Sequence, residues 1–126
     1  MGGRGSFATG KLLPFRYTMV GKVHGVKVLE EKGRKGNGNL PEESNSSKAY
    51  ILHDKNGNFI RYREYNANHT AKFDIDYHVE PKLKKRSEGK VYHIHEYTDG
   101  VRNGKIRVLT KEEFEKYRKF FKRGVD

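Results

Sequence analysis

The sequence predicts an α+β fold: a small antiparallel sheet of about five to six strands, with one α-helix near the carboxyl end packed on it. Three observations carry this expectation. Residues 59–65, 73–80 and 91–97 alternate with a period of two, the spacing by which successive strand side chains point to opposite faces. An Asn56-Gly57 pair separates two β-rich stretches, and Asn-Gly readily supplies the positive φ angles of a tight hairpin turn. Finally, Thr110-Lys111-Glu112-Glu113 places a hydroxyl and a carboxylate three residues apart, the reciprocal capping box that opens a helix.

In chain order, the glycine-rich start is expected to be a mobile arm over residues 1–13, leaving residues 14–126 as a single domain. Aromatic and β-branched residues then predict strands near 15–20 and 23–30. Residues 31–47 are turn formers and charges with almost no apolar content, which predicts a long disordered or functional loop. The Asn56-Gly57 hairpin joins strands over 49–54 and 59–65, a turn fills 66–70, and a charged connection at 81–89 links strands over 73–80 and 91–97. Thr98-Asp99-Gly100 and Asn103-Gly104 read as turns leading into 105–109. The helix then carries Phe114, Tyr117 and Phe121 as its apolar stripe and closes at Lys122-Arg123 before Gly124.

With 33% hydrophobic and 34% charged residues in 126, the chain has material for one small, aromatic-rich core. It has no cysteine, which excludes disulfides and thiolate metal ligands and fits a reducing compartment. No apolar run approaches the ~20 residues of a membrane span, and the amino terminus lacks a signal-peptide apolar segment. The net charge of +11 points to a polyanion, because phosphate neutralisation with counterion release drives association. Nucleic acid is therefore the expected partner, with RNA favoured and an acidic host protein as the alternative; oligomeric state is left open.

Two segments carry the chemistry, Asp74-Ile75-Asp76-Tyr77-His78 and His93-Ile94-His95-Glu96-Tyr97. Strand alternation puts Asp74, Asp76 and His78 on one face, with His93 and His95 sharing the polar face of the second segment, so an antiparallel hairpin would gather all five. Paired imidazoles beside a cation satisfy RNA transesterification, which needs a base for the 2′-hydroxyl, an acid for the leaving oxygen and positive charge for the phosphorane. In this reading His78, His93, His95 and Asp76 form the catalytic set. Arg61, Arg63, Lys84, Lys85, Arg86 and Lys90 hold nucleic acid, with Arg61 and Arg63 on one strand face beside Phe59 and Tyr65. No metal or other cofactor is expected. Competing chemistries are metal binding by His-x-His with His78 or Asp76, and a purely structural hydrogen-bonded face.

The GlyGlyArgGly-Ser start, the two histidine segments and the ending Leu109 to Tyr117 resemble small phage and prophage proteins of Gram-positive bacteria. Some of these form the carboxyl-terminal segments of phage minor head proteins. Such segments are grouped with toxin-like ribonucleases of the barnase, EndoU, colicin and RelE type. The resemblance implies a small α+β nuclease with His78, His93 and His95 at its site, acting in the bacterial host cytoplasm. The alternative function is a non-enzymatic phage protein that binds nucleic acid or a host factor, for example an anti-CRISPR inhibitor of host defence.

Overall fold

The structure, a computed structural model, describes residues 17–31, 40–41, 44 and 47–126, the Glu31 side chain excepted. The arm expected over 1–13 lies outside the described residues, as does most of the loop expected over 31–47.

Seven strands form one sheet in chain order: β1 (Tyr17–Val23), β2 (Val26–Glu31), β3 (Ala49–His53), β4 (Phe59–Tyr65), β5 (Ala71–His78), β6 (Val91–Thr98) and β7 (Val101–Val108). Neighbours are antiparallel except β2 and β3, which run parallel. The expectation of a small antiparallel sheet with five to six strands is therefore wrong. The sheet is larger and mixed, and the described residues are mostly strand with one short α-helix, α1 (Lys111–Tyr117).

Two physical causes account for the difference. Parallel neighbours cannot be joined by a tight turn and need a crossover of a dozen or more residues, so residues 32–48 serve as a crossover between β2 and β3. Asn103-Gly104 reads locally as a turn, but the pairs His95↔Ile106 and Tyr97↔Arg102 set Asn103, Gly104 and Lys105 opposite Glu96 alone. The extra residues form a bulge inside β7, and Gly104 takes the positive φ of +85° that the irregularity requires.

The β3–β4 hairpin turns at Asn56-Gly57. Asp54 Oδ1 accepts from the backbone N–H of Asn56 and Asn58, while Gly57 adopts φ +82°. Helix α1 starts at the Thr110 capping box, with Thr110 Oγ1 accepting from the Glu113 N–H and the Glu113 carboxylate accepting from the Thr110 N–H. It ends at Tyr117, earlier than the expected Lys122-Arg123, and tightens into a 3₁₀ turn at Arg118–Phe120. The tighter winding lets Phe120 and Phe121 both reach the sheet.

Alternation gives the sheet two unlike faces. Val28, Ile51, Tyr62, Ile75 and Ile94 line one, and Tyr117 and Phe120 close over it. Its rings stack, Tyr62 on Phe120 at 5.0 Å and Tyr92 on Phe121 at 4.5 Å. Such pairs add about 0.5–1.5 kcal/mol each beyond their buried area. The opposite face carries a smaller cluster of Leu29, Leu40, Tyr50, Leu52 and Tyr65, and beside it the charged residues of β4 to β6. Among the described residues no helix is long and apolar enough to cross a membrane.

Candidate functional site

Hydrogen-bond register assembles the site. Across β4, β5 and β6, Arg61 pairs with Asp76 and Asp76 with His93, while Arg63 pairs with Asp74 and Asp74 with His95. Directly paired residues share a face, so these six polar side chains form two adjacent rows. The β5–β6 hairpin expected from the sequence thus brings Asp74, Asp76, His78, His93 and His95 together. It buries them more deeply than a flat patch would: Asp74, Asp76 and His93 are all fully enclosed.

A buried carboxylate needs compensation, and here it comes from arginine. Arg61 spans Asp76 with Nε on Oδ1 and Nη2 on Oδ2 at 2.8 Å. Arg63 spans Asp74 in the same way, at 2.6 Å and 3.0 Å. Its other nitrogen donates to the carbonyls of Leu40 and Pro41, and the Tyr65 hydroxyl also donates to Pro41. Arg63 therefore anchors part of the crossover over this face. Asp74 Oδ2 further accepts from the Tyr97 hydroxyl at 2.7 Å and from Arg102 Nη2 at 2.8 Å.

This changes the picture of the nucleic-acid residues. Arg61 and Arg63 are buried and ion-paired, because the neighbouring strand supplies two aspartates on the same face, so they do not form the exposed arginine and aromatic surface expected. Phe59 is not on their face either: β4 bulges between the pairs Leu52↔Arg61 and His53↔Phe59, which turns Phe59 into the aromatic core. Lys90 leans over the Tyr77 ring on the aromatic face, away from the histidines, and Lys72 sits by Glu64. Lys84, Lys85 and Arg86 lie in the β5–β6 connection, with Lys85 and Arg86 exposed. The cation that does reach the site is Arg102 on β7. The expected Asn103-Gly104 turn hid it, and reading 101–108 as one strand would have placed it beside Tyr97.

The histidines differ in setting. His93 is enclosed, and its ring meets those of His78 and His95 edge-on at 4.7 Å and 5.0 Å. His93 Nδ1 lies 2.8 Å from the Val91 carbonyl, and His78 Nδ1 lies 2.8 Å from the Val79 carbonyl. A carbonyl only accepts, so each Nδ1 carries the hydrogen and, in the neutral ring, each Nε2 keeps a lone pair. The buried Nε2 of His93 has no hydrogen-bond partner among the described residues. Nε2 of His78 and Nε2 of His95 both approach Asp76 Oδ2, each at 3.4 Å.

Electrostatics separate the two. Contact with Asp76 raises the His78 pKa against the effect of partial burial. Burial, reinforced by Arg102, lowers that of His95 to about 4 although Asp76 works in the other direction. Burial also lowers His93. Burial pushes both aspartates up, but hydrogen bonds and neighbouring cations outweigh it and hold their carboxyls below the usual range. Asp76, His78, His93 and His95 each offer one ligand atom, all within 4.8 Å of one another, so the same four residues could hold a metal ion. Compared with family models, curated proteins and solved structures, the chain matches none.

Proposed function

We propose that the chain cleaves RNA by metal-independent transesterification, with His95 and His78 as the proton-transferring pair. The observation that supports this best is the convergence of both Nε2 atoms on one buried carboxylate oxygen in a site with surplus cationic charge. Among the described residues, the ion pairs of Arg61, Arg63 and Arg102 in this cluster are with Asp74 and Asp76, three cations to two carboxylates. A protonated His78 adds to that positive balance, and a phosphodiester would offset part of it.

His95 lies deeper and beside Arg102, which favours the neutral ring and suits it to act as base. His78 is half exposed and leans on Asp76, which favours the imidazolium and suits it to act as acid. Nε2 of His95 takes the 2′-hydroxyl proton as the 2′-oxygen bonds to phosphorus. The bond from phosphorus to the 5′-oxygen breaks, and His78 protonates that leaving oxygen, giving a 2′,3′-cyclic phosphate. Arg102 is the cation available to the developing phosphorane charge. His93 props both rings from below, and the resemblance to phage minor-head segments suggests host-cell RNA as the target.

The test is cleavage of mixed cellular RNA by the wild-type chain in excess chelator, beside folded His78→Ala and His95→Ala variants. Each substitution is expected to lower the rate by about 10²–10⁴, the span of a lost general acid or base. Absence of cleavage by well-folded wild type would sink the proposal and leave the non-enzymatic reading, with Lys84, Lys85 and Arg86 as the first surface to probe.

A further inference from the structure

We infer that Asp76, His78, His93 and His95 form a site for a late transition-metal dication such as Zn²⁺, and that its occupation switches off the cleavage proposed above. The inhibitory half rests on the ribonuclease reading; the metal site does not.

Geometry comes first. Donors around a tetrahedral ion with bonds near 2.0–2.1 Å stand about 3.3 Å apart. The edges from Asp76 Oδ2 to Nε2 of His78 and of His95 already measure 3.4 Å. All four donors lie within 4.8 Å of one another, so they need to close by roughly 1.5 Å at most to reach such an ion.

Hydrogen bonding is the second, independent observation. A buried polar atom left without a partner costs about 1–3 kcal/mol, yet Nε2 of His93 is enclosed and has no hydrogen-bond partner among the described residues. Its Nδ1–H donates to Val91 O, and that of His78 donates to Val79 O. Metal-ligating histidines typically donate their second nitrogen to a carbonyl or carboxylate, which fixes the ring and aims the other nitrogen at the ion. Here two backbone carbonyls of the hairpin do so.

Charge then decides which ion fits and how tightly. Arg61 already spans Asp76, and Arg102 Nη2 stands 3.6 Å from its Oδ2, so a dication gains less from this carboxylate than from a free one. Three imidazoles must supply most of the attraction. That excludes Mg²⁺ and Ca²⁺, which seek oxygen cages, and selects Zn²⁺, Ni²⁺ or Cu²⁺. A metal held this way engages Nε2 of His78 and of His95, the two atoms that must exchange protons with RNA. Bound metal is therefore an inhibitor.

The test titrates the metal-stripped full chain with Zn²⁺ against a chromogenic chelator, with Co²⁺ as a spectroscopic reporter, alongside RNA cleavage. One Zn²⁺ per chain is expected, with intense visible Co²⁺ bands of tetrahedral type and no competition from millimolar Mg²⁺. His78→Ala, at a half-exposed position, should weaken Zn²⁺ at least tenfold, and His95→Ala likewise. Binding that is absent, or equally strong in both variants, would overturn the site and assign any Zn²⁺ to surface histidines such as His24 or His69. Zn²⁺ that binds without slowing cleavage, or that speeds it, would overturn the inhibitory role. A chain that binds Zn²⁺ at these residues yet never cleaves RNA when stripped would sink the ribonuclease reading and leave the metal site standing.

Discussion

The two faces of the sheet are made by the same strands and hold together by different physics. On β5, Ile75 and Tyr77 point to the aromatic face while Asp74, Asp76 and His78 point to the other. The aromatic face is closed by α1 and its 3₁₀ extension, and its attraction is non-directional and tolerant of small changes in shape. The charged face is just as buried at its centre but is held by directional bonds, each partner compensating another. Removing one member of such a network strands a charge in low dielectric. The aromatic side can therefore absorb variation, whereas the charged side tolerates little and places its imidazoles accurately.

The largest test of that contrast is Asp74→Ala. It leaves Arg63 without its carboxylate, Arg102 with only its longer 3.6 Å contact to Asp76, and Tyr97 without its acceptor. Loss of about 3–5 kcal/mol is expected, as for a buried pair broken from one side. Ile75→Val, one residue along on the aromatic face, should lose only about 0.5–1.5 kcal/mol. Denaturant midpoints of the two variants compare them directly. Equal losses would mean the charged face is no more interlocked than an apolar core.

Arg102→Ala separates stability from chemistry within the charged face. The residue is 38% exposed, and Asp74 retains Arg63 without it. Stability should fall by about 1 kcal/mol or less, while RNA cleavage falls by about 10²–10³ if Arg102 meets the phosphorane. Melting and cleavage measured on one sample decide the matter. Parallel losses in both would assign Arg102 to the scaffold alone.

The unequal legibility of the two faces has the same origin. Period-two alternation in 74–78 and 93–97 exposes which residues share a face, and that was enough to bring the histidines onto one surface. Alternation does not show what lies across from a strand. Arg61 and Arg63 read as a phosphate-binding surface because Asp76 and Asp74 oppose them only through the β4–β5 register, which shifts between Glu64 and Tyr65. The cover of Leu40 and Pro41 is likewise a long-range contact with no local mark. Parallel pairing of β2 and β3 leaves no signature beyond a long connection. Asn103-Gly104 carried turn chemistry that the sheet overrode, and the reading of it as a turn removed both β7 and Arg102. The Asn56-Gly57 turn and the Thr110 cap were legible because every residue they need is within a few positions.

Thr110→Ala tests that locality. Thr110 Oγ1 satisfies one otherwise unpaired N–H at the start of α1, so its loss should cost about 1 kcal/mol. The effect belongs to the aromatic face, since α1 is its lid. RNA cleavage in conditions where the variant stays folded should be unchanged, and a tenfold drop there would show that the two faces are coupled.

The smallest effect is a pH dependence on the same helix. Glu113 joins the cap to β7: its carboxylate accepts from the Thr110 N–H and pairs with Arg107 at 2.7 Å and 2.8 Å. The hydrogen bond from Arg107 leads the causes that lower its pKa to about 2. A carboxyl whose folded pKa lies below its unfolded value binds more protons unfolded, so its contribution is fully present above the unfolded pKa of about 4.3 and is lost as pH falls toward 2. Because the pair lies partly exposed at the surface, solvent screening limits that contribution to under about 1 kcal/mol. Glu113→Gln should therefore be slightly less stable than wild type at pH 7, and the gap should close between pH 4.5 and pH 2. A gap that persists at pH 2 would mean that Glu113 acts through packing rather than charge. The deeper aspartates, whose pKa values are also lowered, would then be the remaining source of acid sensitivity, on the opposite face of the sheet.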